Sequence, residues 1–323
     1  MPTPPTRLIV FGTGDFALPT FEHLCQTGHR VLALVTQPDR PQGRKQELIP
    51  GRIKLAALAR GVLVEQPEDV NAPESLARIA AIGPDLLVTA AYGQILSAEL
   101  LALPPLGGIN LHGSILPSYR GAAPVARAIQ RGEPETGVTV IRMTPRIDAG
   151  GMIAVARTPI DPDETAGELE ARLALLGAPL VADAVAAIAG GSATVLPQQR
   201  SRVTKAPKLR KEDGLIDWSA PARAVHDLVR AMQPWPVAST HWHPSEVGNG
   251  PVRLIVHRTA VVDGEGGEPG RVLAASGDRL VVAAGAGTGA VRLLTVQLVG
   301  KTALPVAAFL HGHHVFPGDR FGE

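Results

Sequence analysis

Residues 85–91 read Asp-Leu-Leu-Val-Thr-Ala-Ala, a run that after Asp85 is apolar but for Thr89, without alternation between polar and apolar side chains. An extended strand points successive side chains to opposite faces, so this run needs apolar cover on both sides. A central parallel strand with helices above and below supplies that cover. Two further runs read as strands of the same sheet. Residues 8–11 (Leu-Ile-Val-Phe) lead into the turn Gly12-Thr13-Gly14 and a helix that continues through Leu24 and Cys25, and residues 31–36 (Val-Leu-Ala-Leu-Val-Thr) lead into a loop rich in proline and glycine. Helices are expected over 53–60, closed by Gly61, and over 74–81, with a short strand at 62–64 between them. Aromatic residues make up only 3% of the chain, so its cores rest on Ala, Val, Leu and Ile, which suits helices packed on a sheet.

Beyond this half the pattern changes. Residues 165–189 form an alanine-rich helical stretch in which Gly177 and Pro179 mark a break or kink, and Gly190-Gly191 end it. An amphipathic helix is expected over 221–232, with Val225, Leu228 and Val229 on one face and Pro234-Trp235-Pro236 stopping it. Strand-like runs at 252–262, 271–274, 279–284 and 291–298, separated by glycine-rich turns, suggest a small barrel, followed by a short helix at 305–310. The organisation expected is a domain over 1–190, a basic linker over 191–211 and a second domain over 212–323.

Charge follows the same division. Residues 1–190 carry 16 basic and 19 acidic side chains, a net of −3, whereas residues 191–323 carry 15 and 11, a net of +4. Six basic residues and no acid fall between Arg200 and Lys211: Arg200, Arg202, Lys205, Lys208, Arg210 and Lys211. Such a run fits a solvated linker or a polyanionic partner. Cys25 alone permits no intramolecular disulfide and fits a reducing compartment. No basic-then-apolar leader precedes Leu8 and no apolar run approaches a membrane span, so a cytoplasmic protein without membrane contact is expected, and a monomer.

The chemistry concentrates between Gly107 and Gly151. In a strand over 109–112, Asn110 and His112 share one face while Leu111 turns to the core. Gly113 lets the chain turn, Ser114 to Pro117 form a fixed loop, and Gly121-Ala122-Ala123-Pro124 opens a helix whose first turn tolerates proline. The next strand, 137–143, is followed by a loop that delivers one carboxylate, Asp148. Read as a βαβ unit, the two strands run parallel and their carboxyl-end loops lie side by side, which brings Asn110, His112 and Asp148 together. The trio suits acyl transfer from nitrogen to nitrogen. The Asn110 amide stabilises an oxyanion, neutral His112 takes a proton from an attacking amine, and Asp148 fixes the imidazole tautomer and handles the leaving nitrogen.

Two other patterns carry less. Gly12-x-Gly14-x-x-Ala17 with Asp39 downstream satisfies a loose dinucleotide fingerprint, but a lone match is weak and Asp39 sits beyond its strand in a Pro-rich loop. His241-x-His243 and His311-x-His313-His314 have no Cys or carboxylate to complete a metal site, and no metal is expected.

The stretch Asn110-Leu-His112-Gly-Ser-Ile-Leu-Pro117 with Asp148 resembles the catalytic segment of the folate-dependent formyltransferases. The resemblance extends along the whole chain. It implies an α/β fold, with a Rossmann-like, mostly parallel sheet in the formyltransferase domain and a small OB-like β-barrel after it. It implies formyl transfer from 10-formyltetrahydrofolate by Asn110 as oxyanion donor, His112 as proton acceptor and Asp148 as orienting carboxylate and proton relay. Ser114, Ile115, Leu116 and Pro117 would line the folate site, where the usual motif has leucine in place of Ile115, and Tyr92 and Gly93 would help through backbone groups. The basic loop over 38–54 resembles the arm of the tRNA-directed members, which implies initiator methionyl-tRNA as acceptor, contacted by Arg40, Arg44, Lys45, Lys205, Lys208, Arg210 and Lys211. A small amine such as an amino-sugar nucleotide is the alternative acceptor.

Overall fold

The computed structural model describes residues 5–42, 47–245, 250–285, 287 and 289–322. The chain divides into two units. One holds residues up to 124, 135–159 and 170–207, and the other holds 125–134, 160–169 and 208 onward. Residues 191–207, expected within the linker, therefore belong to the first unit. Their placement there turns out to matter for the site.

The first unit is built on a seven-stranded sheet: β1 (Arg7–Gly12), β2 (Arg30–Val35), β3 (Leu63–Glu65), β4 (Leu86–Ala90), β5 (Gly108–His112), β6 (Glu135–Arg142) and β7 (Met152–Pro159). Their order is β7-β6-β5-β4-β1-β2-β3. Strands β3, β2, β1, β4 and β5 are parallel, and every residue of β4 is buried, as its largely apolar run requires. Over one face, Ile9, Phe11, Ala33, Val35 and Leu87 pack with Ile79, Tyr92 and Leu100.

Strand β6 departs from the expected βαβ arrangement. It runs antiparallel to both β5 and β7, with Asn110 opposite Ile141 and His112 opposite Thr139. The connection leaves the sheet at His112 and re-enters it at the same end. It spends its residues on the 113–123 loop and one seven-residue helix, Pro124–Gln130, and never crosses to the far end.

Helix Ala166–Ala189 is continuous, so Pro179 does not break it. Pro179 lies on the same exposed stripe as Leu175, where water can serve the carbonyl its ring leaves unbonded. The helix begins with a reciprocal cap: the backbone N–H of Thr165 donates to Glu168 Oε2 (2.7 Å) and the Glu168 N–H donates to Thr165 Oγ1 (3.3 Å). By length and composition this helix could cross a membrane, contrary to the expectation that no run approaches a span. Its other stripe, with Leu173, Ala174, Val181 and Val185 fully buried, is that of a core helix in a packed unit.

The second unit carries a curled antiparallel sheet of Ala238–His243, Val252–Asp263, Val272–Ser276, Arg279–Ala284, Gly289–Leu298 and Arg320–Gly322, with Leu304–Pro305 paired to one strand. The first and last of these strands were not expected from sequence. They matter to the curl, because Val272 N–H donates to Asp319 O (2.8 Å) and Phe321 N–H to Gly270 O (2.7 Å), bridging its two edges. Helix Ala222–Ala231 packs Val225 and Val229 on this sheet with Trp218, Trp242 and Phe309.

Candidate active site

Strand β5 presents its residues as the alternation requires. Leu111 is buried against helix Ala166–Ala189, where a Cβ on Gly177 would lie 2.6 Å from its Cδ2. Asn110 and His112 take the other face. His112 is buried, while Asn110 is half-buried and its carboxamide makes no hydrogen bond among the described residues. Its N–H groups are therefore free to receive a ligand oxygen.

His112 is held by the loop that follows its own strand. Its Nε2 lies 2.9 Å from the carbonyl oxygen of Tyr119. A carbonyl only accepts, so Nε2 carries a proton, and in the neutral imidazole Nδ1 is then the nitrogen with the lone pair. Nδ1 in turn faces Asp148 Oδ2 at 3.6 Å, beyond hydrogen-bond length. The expected division of labour changes accordingly: Tyr119, not Asp148, fixes the imidazole tautomer, and Asp148 faces the basic nitrogen.

Asp148 arrives by an unforeseen route. With β6 antiparallel, its loop starts beside Ile109, at the amino end of β5, and must fold back toward His112. Three features make that return possible. Gly150 passes so close to Arg142 that a Cβ would lie 1.7 Å from its carbonyl oxygen. Asp148 itself has φ +50°, a conformation that costs a non-glycine residue energy and persists only when its surroundings enforce it. Gln198 Nε2 donates to the carbonyls of Asp148 (2.8 Å) and Gly150 (2.7 Å). The carboxylate then accepts from the backbone N–H of Gly121 (2.9 Å).

The 114–118 loop is fixed by its own polar groups. Ser114 Oγ donates to Ser118 O (2.7 Å), and the buried Thr139 hydroxyl donates to Ser114 O (2.7 Å) and accepts from Leu116 N–H (3.1 Å). Ser114 and Leu116 are buried, whereas Ile115 and Pro117 are half-exposed. These last two are the members of the expected folate loop that can offer a ligand apolar surface.

At Tyr92 the ring and the carbonyl are already engaged. The Tyr92 ring is buried edge-on to Phe11, and its carbonyl already accepts from Thr13 Oγ1 and Gln37 Nε2, both at 3.2 Å. Burial pushes its phenol well above the usual range. The Gly12-Thr13-Gly14 turn is likewise committed, since Thr13 N–H donates to Ala91 O and Asp39 is engaged by Lys54 and Gln66. Asp39, with both carboxylate oxygens engaged, is not left for a ribose.

Of the expected tRNA contacts, Arg44 and Lys45 lie outside the described residues. Arg40 is exposed and 3.7 Å from Glu68, and Lys205, Lys208, Arg210 and Lys211 are all exposed. His243 is tied to Gly322 O (3.1 Å). Among the described residues, no three His, Cys, Asp or Glu side chains are grouped to hold a metal ion.

Sequence reasoning missed Tyr119, Thr139, Gln198 and Thr204. Tyr119 acts through its carbonyl, Thr139 from an ordinary strand position and Thr204 from the residue before a two-residue strand, none of which leaves a sequence signal. Gln198 sits in a stretch read as a linker.

Comparison with known proteins gives a consistent result. Residues 6–185 match the family described as formyl transferase, and residues 208–314 match the formyl transferase C-terminal domain. A methionyl-tRNA formyltransferase of Moorella thermoacetica is 41% identical over 98% of this chain and 99% of its own, and one of Pelobacter propionicus is 44% identical over 98% and 97%. Among solved structures, the sugar 3N-formyl transferase WlaRD, crystallised with dTDP and 5-N-formyl-THF, is similar in fold. Its TM-score is 0.65 at 17% identity, over 93% of this chain and 99% of that one.

Proposed function

The chain belongs to the formyl transferase family, and from that premise we propose that it moves the formyl group of 10-formyltetrahydrofolate to the free amino group of initiator methionyl-tRNA, in translation initiation. It is an enzyme, a one-carbon formyl transferase, and folate supplies its formyl donor. The cytoplasm is the compartment this role requires.

The observation that carries the chemistry is the state of His112. With Nε2–H given to Tyr119, the lone pair of Nδ1 is available beside the Asp148 carboxylate. The amine nitrogen of the acceptor attacks the formyl carbon, forming the new C–N bond. Asn110 donates an N–H to the oxyanion that develops, a preorganised contact worth most in a site shielded from water. His112 Nδ1 takes the proton that the attacking nitrogen sheds, and the carboxylate of Asp148 stabilises the imidazolium so formed. The bond from the formyl carbon to the donor nitrogen then breaks, and His112, with Asp148 as relay, returns that proton to the departing nitrogen. No side-chain nucleophile is consumed. Ile115 and Pro117 provide the apolar floor for the donor, and the exposed Arg40, Lys205, Lys208, Arg210 and Lys211, with Arg44 and Lys45, are the proposed phosphate contacts.

Formyl transfer from 10-formyltetrahydrofolate tests the reading when initiator methionyl-tRNA, elongator methionyl-tRNA, glycinamide ribonucleotide, an amino-sugar nucleotide and no acceptor are compared. Formylation of initiator methionyl-tRNA alone is the expected result. Transfer to a small amine in its place, or release of formate, would refute the assigned acceptor.

A further inference from the structure

Asp148 is the one member of the trio that is not on β5, and its loop approaches from the wrong end of the strand. Something must hold it at φ +50° against His112. Gln198 is the only side chain seen to bond both Asp148 and Gly150 among the described residues. Its other atom matters as much. Gln198 Oε1 accepts from Arg120 Nε (3.0 Å) and Nη2 (2.7 Å), and Arg120 follows Tyr119, whose carbonyl holds His112.

The same segment secures the 119–121 turn by its main chain. Tyr119 N–H donates to Thr204 Oγ1 (2.8 Å) and Arg120 N–H to Thr204 O (2.9 Å), and Lys205–Ala206 pairs with Arg120–Gly121. Gly121 N–H then donates to the Asp148 carboxylate. Residues 198–206 thus grip both the turn that orients His112 and the loop that carries Asp148. An amide is the side chain that can do this. Its NH2 group donates to two carbonyls while its oxygen accepts from a guanidinium, whereas a carboxylate can only accept.

We infer that Gln198 is a positioning residue for formyl transfer, which registers the Asp148 loop against the turn that holds His112. The inference rests on the trio proposed above. It makes residues 198–206 part of the active-site scaffold and not a tether.

The test is steady-state and single-turnover formyl transfer by Gln198→Met and Gln198→Glu, with thermal melts as a check on folding. Met keeps the length and removes both bonding groups. Glu keeps the contact with Arg120 but sets an acceptor against the Asp148 and Gly150 carbonyls. Both are expected to lower kcat on the order of 10²-fold, the scale of a small misplacement of a reacting group. KM for both substrates should stay within about threefold, because the groups lost bind neither substrate.

A double-mutant cycle separates this inference from the function on which it rests. If Gln198 acts through Asp148, adding Gln198→Met to Asp148→Ala costs little more. Should Asp148→Ala be impaired while Gln198→Met is neutral, or adds its full cost in that background, the positioning role is wrong and the trio stands. Wild-type turnover by Asp148→Ala would remove the trio and this role with it. A fully active Gln198→Glu would also overturn the role, since the donor bonds to the Asp148 loop are what it lacks.

Discussion

Two buried histidines, each beside an aspartate and a loop, end in opposite conditions. In the second unit, His226 has both ring nitrogens bonded, Nε2 to Pro162 O and Nδ1 to Thr259 Oγ1, each at 3.0 Å. Its neighbour Asp227 is paired with Arg230 (2.8 Å) and Arg223 (3.2 Å), and Arg230 also donates to the carbonyls of Asp161 and Glu164. Every strong polar group there has a partner. In the first unit His112 has one nitrogen bonded and one facing a carboxylate at 3.6 Å, and the carboxamide of Asn110 has no hydrogen-bond partner among the described residues. The first arrangement is saturated and holds a helix to a loop; the second keeps bonding capacity in reserve. Burial and residue type are nearly the same in the two places. Unspent donors and lone pairs separate a chemical site from a structural one.

The largest expected effect breaks the comparison on its reactive side. His112→Ala should cost about 10²–10⁴ in kcat with the fold retained, measured by single-turnover transfer. A loss under about tenfold would put the base elsewhere. On the saturated side, Asp227→Ala leaves buried Arg230 without its carboxylate and should lower stability by about 3–5 kcal/mol. Turnover per folded molecule should not change, so a normal melting temperature, or an altered rate for the folded enzyme, would contradict the assignment.

Thr139→Val sharpens the contrast by removing a saturated contact from within the reactive region. The buried carbonyl of Ser114 and the N–H of Leu116 lose a shared partner, a cost of about 1–3 kcal/mol in a thermal melt. The smallest effect concerns Glu168. Bonds from the Thr165 backbone and hydroxyl, and then Arg258, hold its carboxyl down to about 2 from 4.5. A depressed carboxyl stabilises the fold above its unfolded pKa, and that stability is lost as pH falls through the folded value. The contribution, about 1 kcal/mol for so exposed a pair, should therefore vanish between pH 4.5 and 2. Glu168→Gln should flatten the stability profile across that window; an unchanged acid slope would remove the contribution.

Much of this was legible in the sequence, and the limits have physical causes. Strand alternation alone put Asn110 and His112 on one face with Leu111 turned to the core. The apolar run of β4 gave a central strand, and the positions of Val225 and Val229 gave the packed face of helix Ala222–Ala231. The direction of β6 was not legible, because a loop and a short helix can either cross a sheet or turn back beside it. Nor could the tautomer of His112 be read, since its determinant is a main-chain oxygen that any residue at position 119 would carry. Gln198 lay hidden among basic residues that suggested a tether, and its bonds to positions 148 and 120 span 50 and 78 residues of sequence. Pro179 signalled a break from its local chemistry, whereas exposure of that stripe made the proline harmless.

The central claim is that His112 waits with Nε2 protonated and Nδ1 free to act as the base. Long-range proton–nitrogen NMR correlations on protein labelled with nitrogen-15 histidine read this directly at neutral pH. The account predicts that the His112 ring proton sits on Nε2 and that Nδ1 has the shift of an unprotonated nitrogen. A proton found on Nδ1 in the free enzyme would contradict it, because that nitrogen could then accept nothing from the attacking amine.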